Sequence, residues 1–157
     1  MTAEEVLDRA RAAGVMIAAA ESCTGGMVMA ALTAVPGSSD VVERGFVTYS
    51  NDAKIQMLGV SPVTLSAHGA VSPEVAAEMA AGALEHSQAQ LAVSITGIAG
   101  PGGSEHKPEG RVCFGVARRG MAVTLNVQDF GALGRAGVRS AARDHALALL
   151  AAALDQP

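Results

Sequence analysis

The sequence predicts an α/β fold, namely a three-layer α/β/α sandwich around a mixed, mostly parallel sheet of about five strands. Three observations support this prediction. Apolar segments of strand length alternate with helical segments along most of the chain, as in strands joined by helical crossovers. Residues 15–20 form a continuous apolar run, and these residues and 91–98 are typical of buried parallel strands. Two later strand segments are separated only by Arg118-Arg119-Gly120, which indicates an antiparallel hairpin.

The first helix is predicted over residues 2–13. Thr2 is in position to cap it, Glu5 stands at the third helical position and Gly14 follows its end, which is the usual arrangement at helix termini. The strand at 15–20 comes next.

A second helix is predicted over residues 25–35, because Pro36-Gly37 stops it. A strand over 41–49 follows. A short third helix is expected to begin after Asn51 as N-cap and to run through Leu58.

Ser61-Pro62 and Ser72-Pro73 each begin a further helix, with serine as cap and proline at the first helical position. The second of these helices is expected to run to about Ser87. The remaining predicted segments are the strand at 91–98, a loop at 99–110, hairpin strands at 111–117 and 121–128, and a last helix at 133–154.

Composition narrows the class of protein. A chain of 157 residues is expected to be one domain covering residues 1–157. Its net charge of −4 and the lack of a basic cluster argue against nucleic acid as a partner. The longest apolar run, residues 146–154, is too short to span a membrane. Two cysteines do not make a disulfide framework. We expect a cytoplasmic homo-oligomer without a signal peptide.

Ser22 lies on a glycine-rich turn between an apolar strand and an apolar helix. Open α/β sheets bind their ligands at such turns, outside the carboxyl ends of the strands. The backbone N–H groups of Thr24, Gly25 and Gly26 are expected to open the helix and to favour an anion or oxyanion. An ordinary capped turn is the alternative interpretation. Cys23 is a rival nucleophile, but no histidine lies near it in the sequence.

Tyr49 is the only tyrosine, and Lys54 is one of two lysines beside nine arginines. Together with Ser22 they are the parts of a serine hydrolase that needs no histidine. An ordinary lysine pKa of about 10.4 must fall by about 3 units for a base working near neutral pH. Such a fall corresponds to roughly 4 kcal/mol. The dipole of the third helix supplies at most about 2 kcal/mol, so burial of the lysine must supply the rest. A solvated surface lysine is the alternative.

A glycine-rich segment, Thr96-Gly97-Ile98-Ala99-Gly100-Pro101-Gly102-Gly103, follows the strand at 91–98. Its many N–H groups suit a phosphate or a carboxylate, although a flexible loop is as plausible. Arg135, Arg139 and Arg143 share one face of the last helix, and Arg139 is the expected phosphate contact. The four histidines are scattered, so we expect no metal and no cofactor.

Several motifs together resemble those of the CinA C-terminal domain family, the nicotinamide-nucleotide amidohydrolases or NMN deamidases. The motifs, which extend over essentially the whole chain, are Ala20-Glu21-Ser22-Cys23-Thr24-Gly25-Gly26, Tyr49-Ser50-Asn51-x-x-Lys54, Thr96 to Gly103, and Lys107-Pro108-x-Gly110.

The resemblance implies a mixed five-stranded sheet with helices on both faces. It implies hydrolysis of nicotinamide mononucleotide (NMN) to nicotinate mononucleotide and ammonia in pyridine-nucleotide salvage. The family's serine, tyrosine and lysine match Ser22, Tyr49 and Lys54. The expected substrate-binding residues are Thr24, Gly25, Gly26, Thr96, Gly97, Ala99, Gly100, Gly102, Gly103 and Arg139.

The expected mechanism has Ser22 attack the carboxamide carbon while Lys54, with Tyr49, accepts the serine proton. Which of the two is the immediate base stays open at the level of sequence. Two other functions also stay open: a Ser/Lys hydrolase of a different small amide or ester, and a nucleotide-binding module without catalysis.

Overall fold

The structure is a computed structural model that describes residues 2–155. These residues form one five-stranded sheet flanked by helices; the predicted domain limits at 1 and 157 lie outside them. The strands are β1 (Ile17–Glu21), β2 (Val42–Val47), β3 (Leu91–Gly97), β4 (Arg111–Arg118) and β5 (Thr124–Asp129). The helices are α1 (Ala3–Ala13), α2 (Met27–Thr33), α3 (Asn51–Leu58), α4 (Pro62–His68), α5 (Pro73–Glu85) and α6 (Gly134–Leu154). A 3-10 turn at Ser38–Asp40 precedes β2.

The sheet has the strand order β2-β1-β3-β4-β5. β1 pairs in parallel with β2 and with β3, whereas β4 is antiparallel to both β3 and β5. Four strands therefore point the same way and only β4 is reversed. The predicted mixed sheet of five strands, with one hairpin, is confirmed.

The two faces of the sheet are buried under different helices. Because side chains alternate along a strand, Ile17 and Ala19 of β1 pack in a core with α1, α2 and α6. Ala18 and Ala20 pack in a second core with α3 and α5. The α/β/α layering predicted from the sequence is confirmed.

Helix α5 lies unusually close to the sheet. Ser94 Oγ in β3 donates to the Ala76 carbonyl at 2.6 Å and accepts from the Gly115 N–H at 3.0 Å. A Cβ atom on Gly115 would lie 2.6 Å from the same Ala76 carbonyl oxygen. Only glycine at this place in β4 lets the helix backbone approach so closely.

The predicted helix caps are found at Thr2, Ser61 and Ser72, each of which accepts a hydrogen bond from a backbone N–H of its own helix. The cap of α3 was predicted at Asn51 and is instead Ser50, whose side chain accepts from the Ala53 N–H at 3.0 Å. Ser50 has the extended backbone that a cap requires, whereas the residue after it is already helical.

Other element limits also differ from the prediction, mostly by one or two residues, and three of them have a clear local description. α2 begins at Met27 rather than at residue 25, because Gly25 and Gly26 have φ of +57° and +109° and cannot continue a right-handed helix. β1 is shifted toward its carboxyl end and includes Glu21. β5 begins at Thr124 instead of 121, since residues 119–123 form the hairpin connection.

Cys23 and Cys113 are both free and buried. None of the helices between residues 2 and 155 is long and apolar enough to cross a bilayer. Over the same residues no group of three or more histidine, cysteine or acidic side chains could hold a metal ion.

Candidate active site

A cavity of about 410 Å³ lies at the carboxyl ends of the three parallel strands. Its walls come from the segments that follow β1, β2 and β3, from the connection between α4 and α5, and from the start of α6. The lining residues most relevant to chemistry are Ser22, Cys23, Tyr49, Asn51, Lys54, Thr96, Gly97, Ala99, Gly100, Gly102, Gly103, Glu105 and Arg135. This is the place where open α/β sheets bind their ligands.

Ser22 and Lys54 meet inside this cavity. Lys54 Nζ lies 3.0 Å from Ser22 Oγ, although 31 residues separate them in the chain. Lys54 is only 1% exposed and Ser22 7% exposed. The lysine also contacts the backbone carbonyl oxygens of Thr48 at 2.9 Å and Tyr49 at 3.3 Å.

These contacts suit a neutral amine. A neutral amine has two N–H donors, which match the Thr48 and Tyr49 carbonyls, and one lone pair, which is left for the Ser22 hydroxyl. Burial lowers the pKa of Lys54 below its ordinary value of 10.5, and the nearby Cys23 thiol and Glu105 carboxylate oppose this only in part. The arrangement can therefore remove a proton from Ser22.

The cause of the lowered pKa differs from the expectation in one respect. With Ser50 as the cap, Lys54 is the fourth residue of α3 and not the third, so the helix dipole acts on it less strongly. Desolvation by burial is the largest cause.

Cys23 is poorly suited to act as a nucleophile. Burial raises the pKa of its thiol to about 11, so the reactive thiolate is scarce near neutral pH. The structure thus favours the serine over its neighbour.

Tyr49 lies at the rim of the cavity and is 63% exposed. Its hydroxyl accepts a hydrogen bond from Arg135 Nη2 at 2.8 Å, while it contacts Lys54 through its backbone carbonyl. Of the two residues expected to accept the serine proton, it is Lys54 whose side chain contacts Ser22, while the tyrosine hydroxyl bonds Arg135.

The buried Glu21 carboxylate fills the anion site that was predicted at the start of α2. Its Oε1 accepts from the Thr24 hydroxyl at 2.6 Å and from the N–H groups of Gly26 and Val28 at 3.2 and 3.0 Å. Its Oε2 accepts from the Met29 N–H at 3.1 Å. A helix N-terminus stabilises a negative charge, and here that charge belongs to the protein itself.

Two of the three backbone N–H groups expected to bind an anion, those of Gly25 and Gly26, are consequently occupied within the protein. The Gly25 N–H donates to the Ser22 carbonyl at 3.0 Å, and Thr24 is fully buried. Neither of them, nor Gly26, is among the residues that line the cavity. We revise their expected contact with substrate to a structural role in shaping the Ser22 turn.

The glycine-rich loop is at the cavity, as predicted, but part of it is also occupied from within the protein. The Gly102 N–H donates to Glu109 Oε1 at 2.6 Å, and the Thr96 hydroxyl donates to the Ala70 carbonyl at 2.9 Å. Within residues 2–155, the N–H groups of Ala99 and Gly100 have no hydrogen-bond acceptor. These two donors are free for a ligand.

Arg135, and not Arg139, reaches the cavity. Its guanidinium donates to the Gly100 carbonyl at 2.7 Å and to the Tyr49 hydroxyl. Arg139 donates to the carbonyls of Cys23 at 3.1 Å and Thr24 at 3.4 Å, and therefore holds the Ser22 turn against α6. We replace Arg139 by Arg135 as the candidate anion contact.

Sequence reasoning assigned no role to Glu21, although this residue is part of the quoted motif. The signal available in the sequence was an acidic residue a few positions before a helix start, where a carboxylate can cap free N–H groups. Glu105 at the cavity wall was also left without a role.

The fold and the site together define an α/β protein in which a serine and a buried lysine meet beside a glycine-rich loop. The sequence profile of the CinA C-terminal domain matches residues 1–154, and the chain belongs to this family. The family expected from the motifs is therefore confirmed.

Known relatives agree with this assignment. The Escherichia coli K12 protein named nicotinamide-nucleotide amidohydrolase PncC is 55% identical over 123 residues, which are 77% of this chain and 74% of that protein. A CinA-like protein of Chloroherpeton thalassium is 57% identical over 115 residues, 73% of this chain but 27% of that protein. This chain spans about a quarter of the length of several such CinA-like relatives.

Solved structures share the fold. The competence/damage inducible protein CihA of Agrobacterium tumefaciens is 48% identical, with a TM-score of 0.93 over 98% of this chain and 93% of that one. A CinA superfamily protein of Escherichia coli is 37% identical, with a TM-score of 0.90 over 96% and 90% of the two chains.

We predict that Glu21→Gln destabilises the protein by about 2–3 kcal/mol, because an amide cannot accept all four hydrogen bonds and carries no charge at the helix start. Urea unfolding would measure this change. The exposed Glu85→Gln variant removes the same charge at the surface and is expected to unfold like the wild type. Equal stabilities of the two variants would contradict the structural role of Glu21.

Proposed function

We propose that this protein hydrolyses the carboxamide of NMN to nicotinate mononucleotide and ammonia, with Ser22 as nucleophile and Lys54 as general base. The observation that carries the proposal is the 3.0 Å contact between Lys54 Nζ and Ser22 Oγ, made by a fully buried lysine. A non-catalytic binding module has no need to keep an amine desolvated beside a hydroxyl.

The proposed substrate is supported by the similarity to a named relative. PncC of Escherichia coli is named for hydrolysis of a nicotinamide nucleotide and covers most of this chain at 55% identity. The motifs that carry Ser22, Tyr49 and Lys54 support the same reaction. An enzyme that hydrolyses another small amide or ester would use the same pair of side chains. The choice of substrate therefore depends on the other residues of the cavity.

In the first step the lone pair of Lys54 accepts the Ser22 proton as Oγ attacks the carboxamide carbon. The carbonyls of Thr48 and Tyr49 hold the two remaining N–H groups of the amine, so its lone pair is aimed before substrate binds. A nucleophile held next to its base in this way gains reactivity without rearrangement.

The negative oxygen of the tetrahedral intermediate requires N–H donors. The residue after the nucleophile is the usual source of one donor, and the Cys23 N–H has no acceptor within the described residues. The free N–H groups of Ala99 and Gly100 are candidates for the second. Such donors stabilise the transition state more than the ground state.

The protonated Lys54 then gives its proton to the departing nitrogen, and ammonia leaves. Water attacks the resulting acyl-enzyme and loses a proton to the Lys54 amine. The bond between the acyl carbon and Ser22 Oγ then breaks, the amine gives that proton to Oγ, and nicotinate mononucleotide leaves. This sequence returns Ser22 and Lys54 to their starting states.

Arg135 is proposed to bind the phosphate. It is the exposed cation of the cavity lining, beside the buried Lys54. In the absence of substrate its guanidinium is held by the Tyr49 hydroxyl and the Gly100 carbonyl, which places it next to the glycine-rich loop. Tyr49 therefore contributes by positioning Arg135 as well as by its carbonyl contact with Lys54.

The first prediction concerns the nucleophile. Ser22→Ala is expected to fold and to release ammonia from NMN at least about 10³-fold more slowly, because only binding and oxyanion stabilisation are left. Cys23→Ala is the matched control, and most of its activity should remain because the thiol is protonated. An inactive Cys23→Ala together with an active Ser22→Ala would reverse the assignment.

The second prediction concerns the base. Lys54→Arg should be nearly as inactive as Lys54→Ala, since a guanidinium keeps the charge but cannot accept a proton. In the wild type, kcat/KM should rise with pH, because the neutral amine becomes populated as pH passes the lowered pKa of Lys54, and it should level off below pH 10.5. A near-normal rate for the arginine variant would show that Lys54 supplies only charge.

The third prediction concerns the substrate. The wild type should cleave NMN faster than nicotinamide riboside, and nicotinamide hardly at all, because binding energy from the phosphate orients the carboxamide. Arg135→Ala should lower kcat/KM for NMN about 10-fold or more, a typical loss for a charged hydrogen bond, and should affect the riboside little. Arg143→Ala, whose side chain pairs with Asp144 outside the cavity, is the control. Equal rates on NMN and nicotinamide would end the nucleotide assignment.

A further inference from the structure

Glu105 stands in the cavity wall and has no part in the chemistry described above. It and His106 are non-glycine residues with positive φ, 52° and 62°. This backbone conformation is disfavoured for residues with a side chain and is often found where a loop is held for a function. The loop thereby turns a carboxylate toward the cavity, on the same side as the connection between α4 and α5.

The position of that carboxylate is supported by close packing. A Cβ atom on Gly69 would lie 2.6 Å from Glu105 Oε2, so the absence of a side chain at the end of α4 makes room for it. The side chain of Glu105 is 39% exposed, and the residue belongs to the cavity lining.

The charge of Glu105 is only partly neutralised. Lys107 Nζ is 3.7 Å from Glu105 Oε2, a long ion-pair distance, and the same ammonium donates to the backbone carbonyls of His68 and Val71. The Glu105 carboxylate also raises the pKa of Lys54, in opposition to burial. Its negative charge is therefore felt inside the cavity, near the place where the carboxamide must bind.

The cavity thus offers one anion and one exposed cation. Glu105 belongs to the loop after β3, whereas Arg135 belongs to the start of α6. The proposed substrate has the same two charges, since the ring of NMN is a pyridinium cation with the ribose phosphate on its ring nitrogen. The carboxamide that reacts at Ser22 is attached to this cationic ring.

We propose that Glu105 is a specificity residue whose carboxylate faces the pyridinium ring and selects the oxidised, cationic nucleotide over its reduced form with a neutral dihydropyridine ring. This inference rests on the proposed function. It goes beyond that function because it explains how the oxidised and reduced nucleotides would be distinguished, namely by the charge of the nicotinamide ring. Arg135 and the glycine-rich loop would contact the phosphate, which both forms share.

Binding measurements separate affinity from chemistry. In a Ser22→Ala background, which binds without turnover, the dissociation constants of NMN and reduced NMN would be measured by calorimetry. We expect tighter binding of NMN. Adding Glu105→Gln should raise the dissociation constant of NMN about fivefold, the scale of a partly exposed ion pair. The dissociation constant of reduced NMN should be nearly unchanged. The preference should diminish further at high salt, since salt screens exposed charges.

Glu74→Gln is the matched control. Glu74 carries the same charge on the neighbouring helix α5 and is half-exposed, but it faces His68 and does not line the cavity. We expect both dissociation constants to be unchanged in this variant. Thermal melting of each variant would verify that the fold is retained.

The remaining outcomes are distinct. An unchanged preference in Glu105→Gln, or equal weakening of both ligands, would overturn the role of Glu105 while leaving NMN hydrolysis by the wild type intact. Failure of the wild type to release ammonia from NMN, together with failure of the Ser22→Ala variant to bind it, would instead overturn the proposed function and this inference with it.

Discussion

The proposed mechanism depends on one constraint: the amine of Lys54 must be neutral while it is buried inside the protein. Lys54 is buried between the sheet and α3, where its charged form is costly because water cannot solvate it. Two backbone carbonyls and the Ser22 hydroxyl satisfy its hydrogen-bonding groups without a carboxylate partner in direct contact. A direct ion pair would stabilise the ammonium form, raise the pKa of Lys54 and leave little neutral amine to accept the Ser22 proton. The segment after β2 and the Ser22 turn supply these contacts to the lysine of α3.

Internal carboxylates organise the loops around that amine. Glu21 caps α2 and fixes the turn that carries Ser22, and Glu109 joins the glycine-rich loop at Gly102 to the start of α6 at Gly134. Each carboxylate occupies N–H groups that a ligand could otherwise use. The N–H groups of Cys23, Ala99 and Gly100, which have no acceptor within residues 2–155, belong to residues that line the same cavity as Ser22.

The two exposed charges of the cavity lining lie on different segments, so each can contact a different part of a ligand. Arg135 is held at the rim by the Tyr49 hydroxyl and the Gly100 carbonyl, both of which a phosphate can replace. Glu105 supplies the opposite charge from a different loop. A zwitterionic nucleotide matches this pattern.

The sequence by itself determined the layers of the fold, the mixed sheet and most helix caps, because these depend on local periodicity and capping chemistry. It also marked Ser22, Tyr49 and Lys54 as candidate site residues, and all three line one cavity. It did not determine which arginine of α6 reaches the cavity. Arg135 and Arg139 lie on the same helix face, and only the packing of α6 against the Ser22 turn sends one to the cavity and the other to the Cys23 and Thr24 carbonyls. The filling of the predicted anion site by Glu21 was likewise decided by tertiary structure, since side-chain alternation along β1 and the late start of α2 together bring that carboxylate to the helix N-terminus.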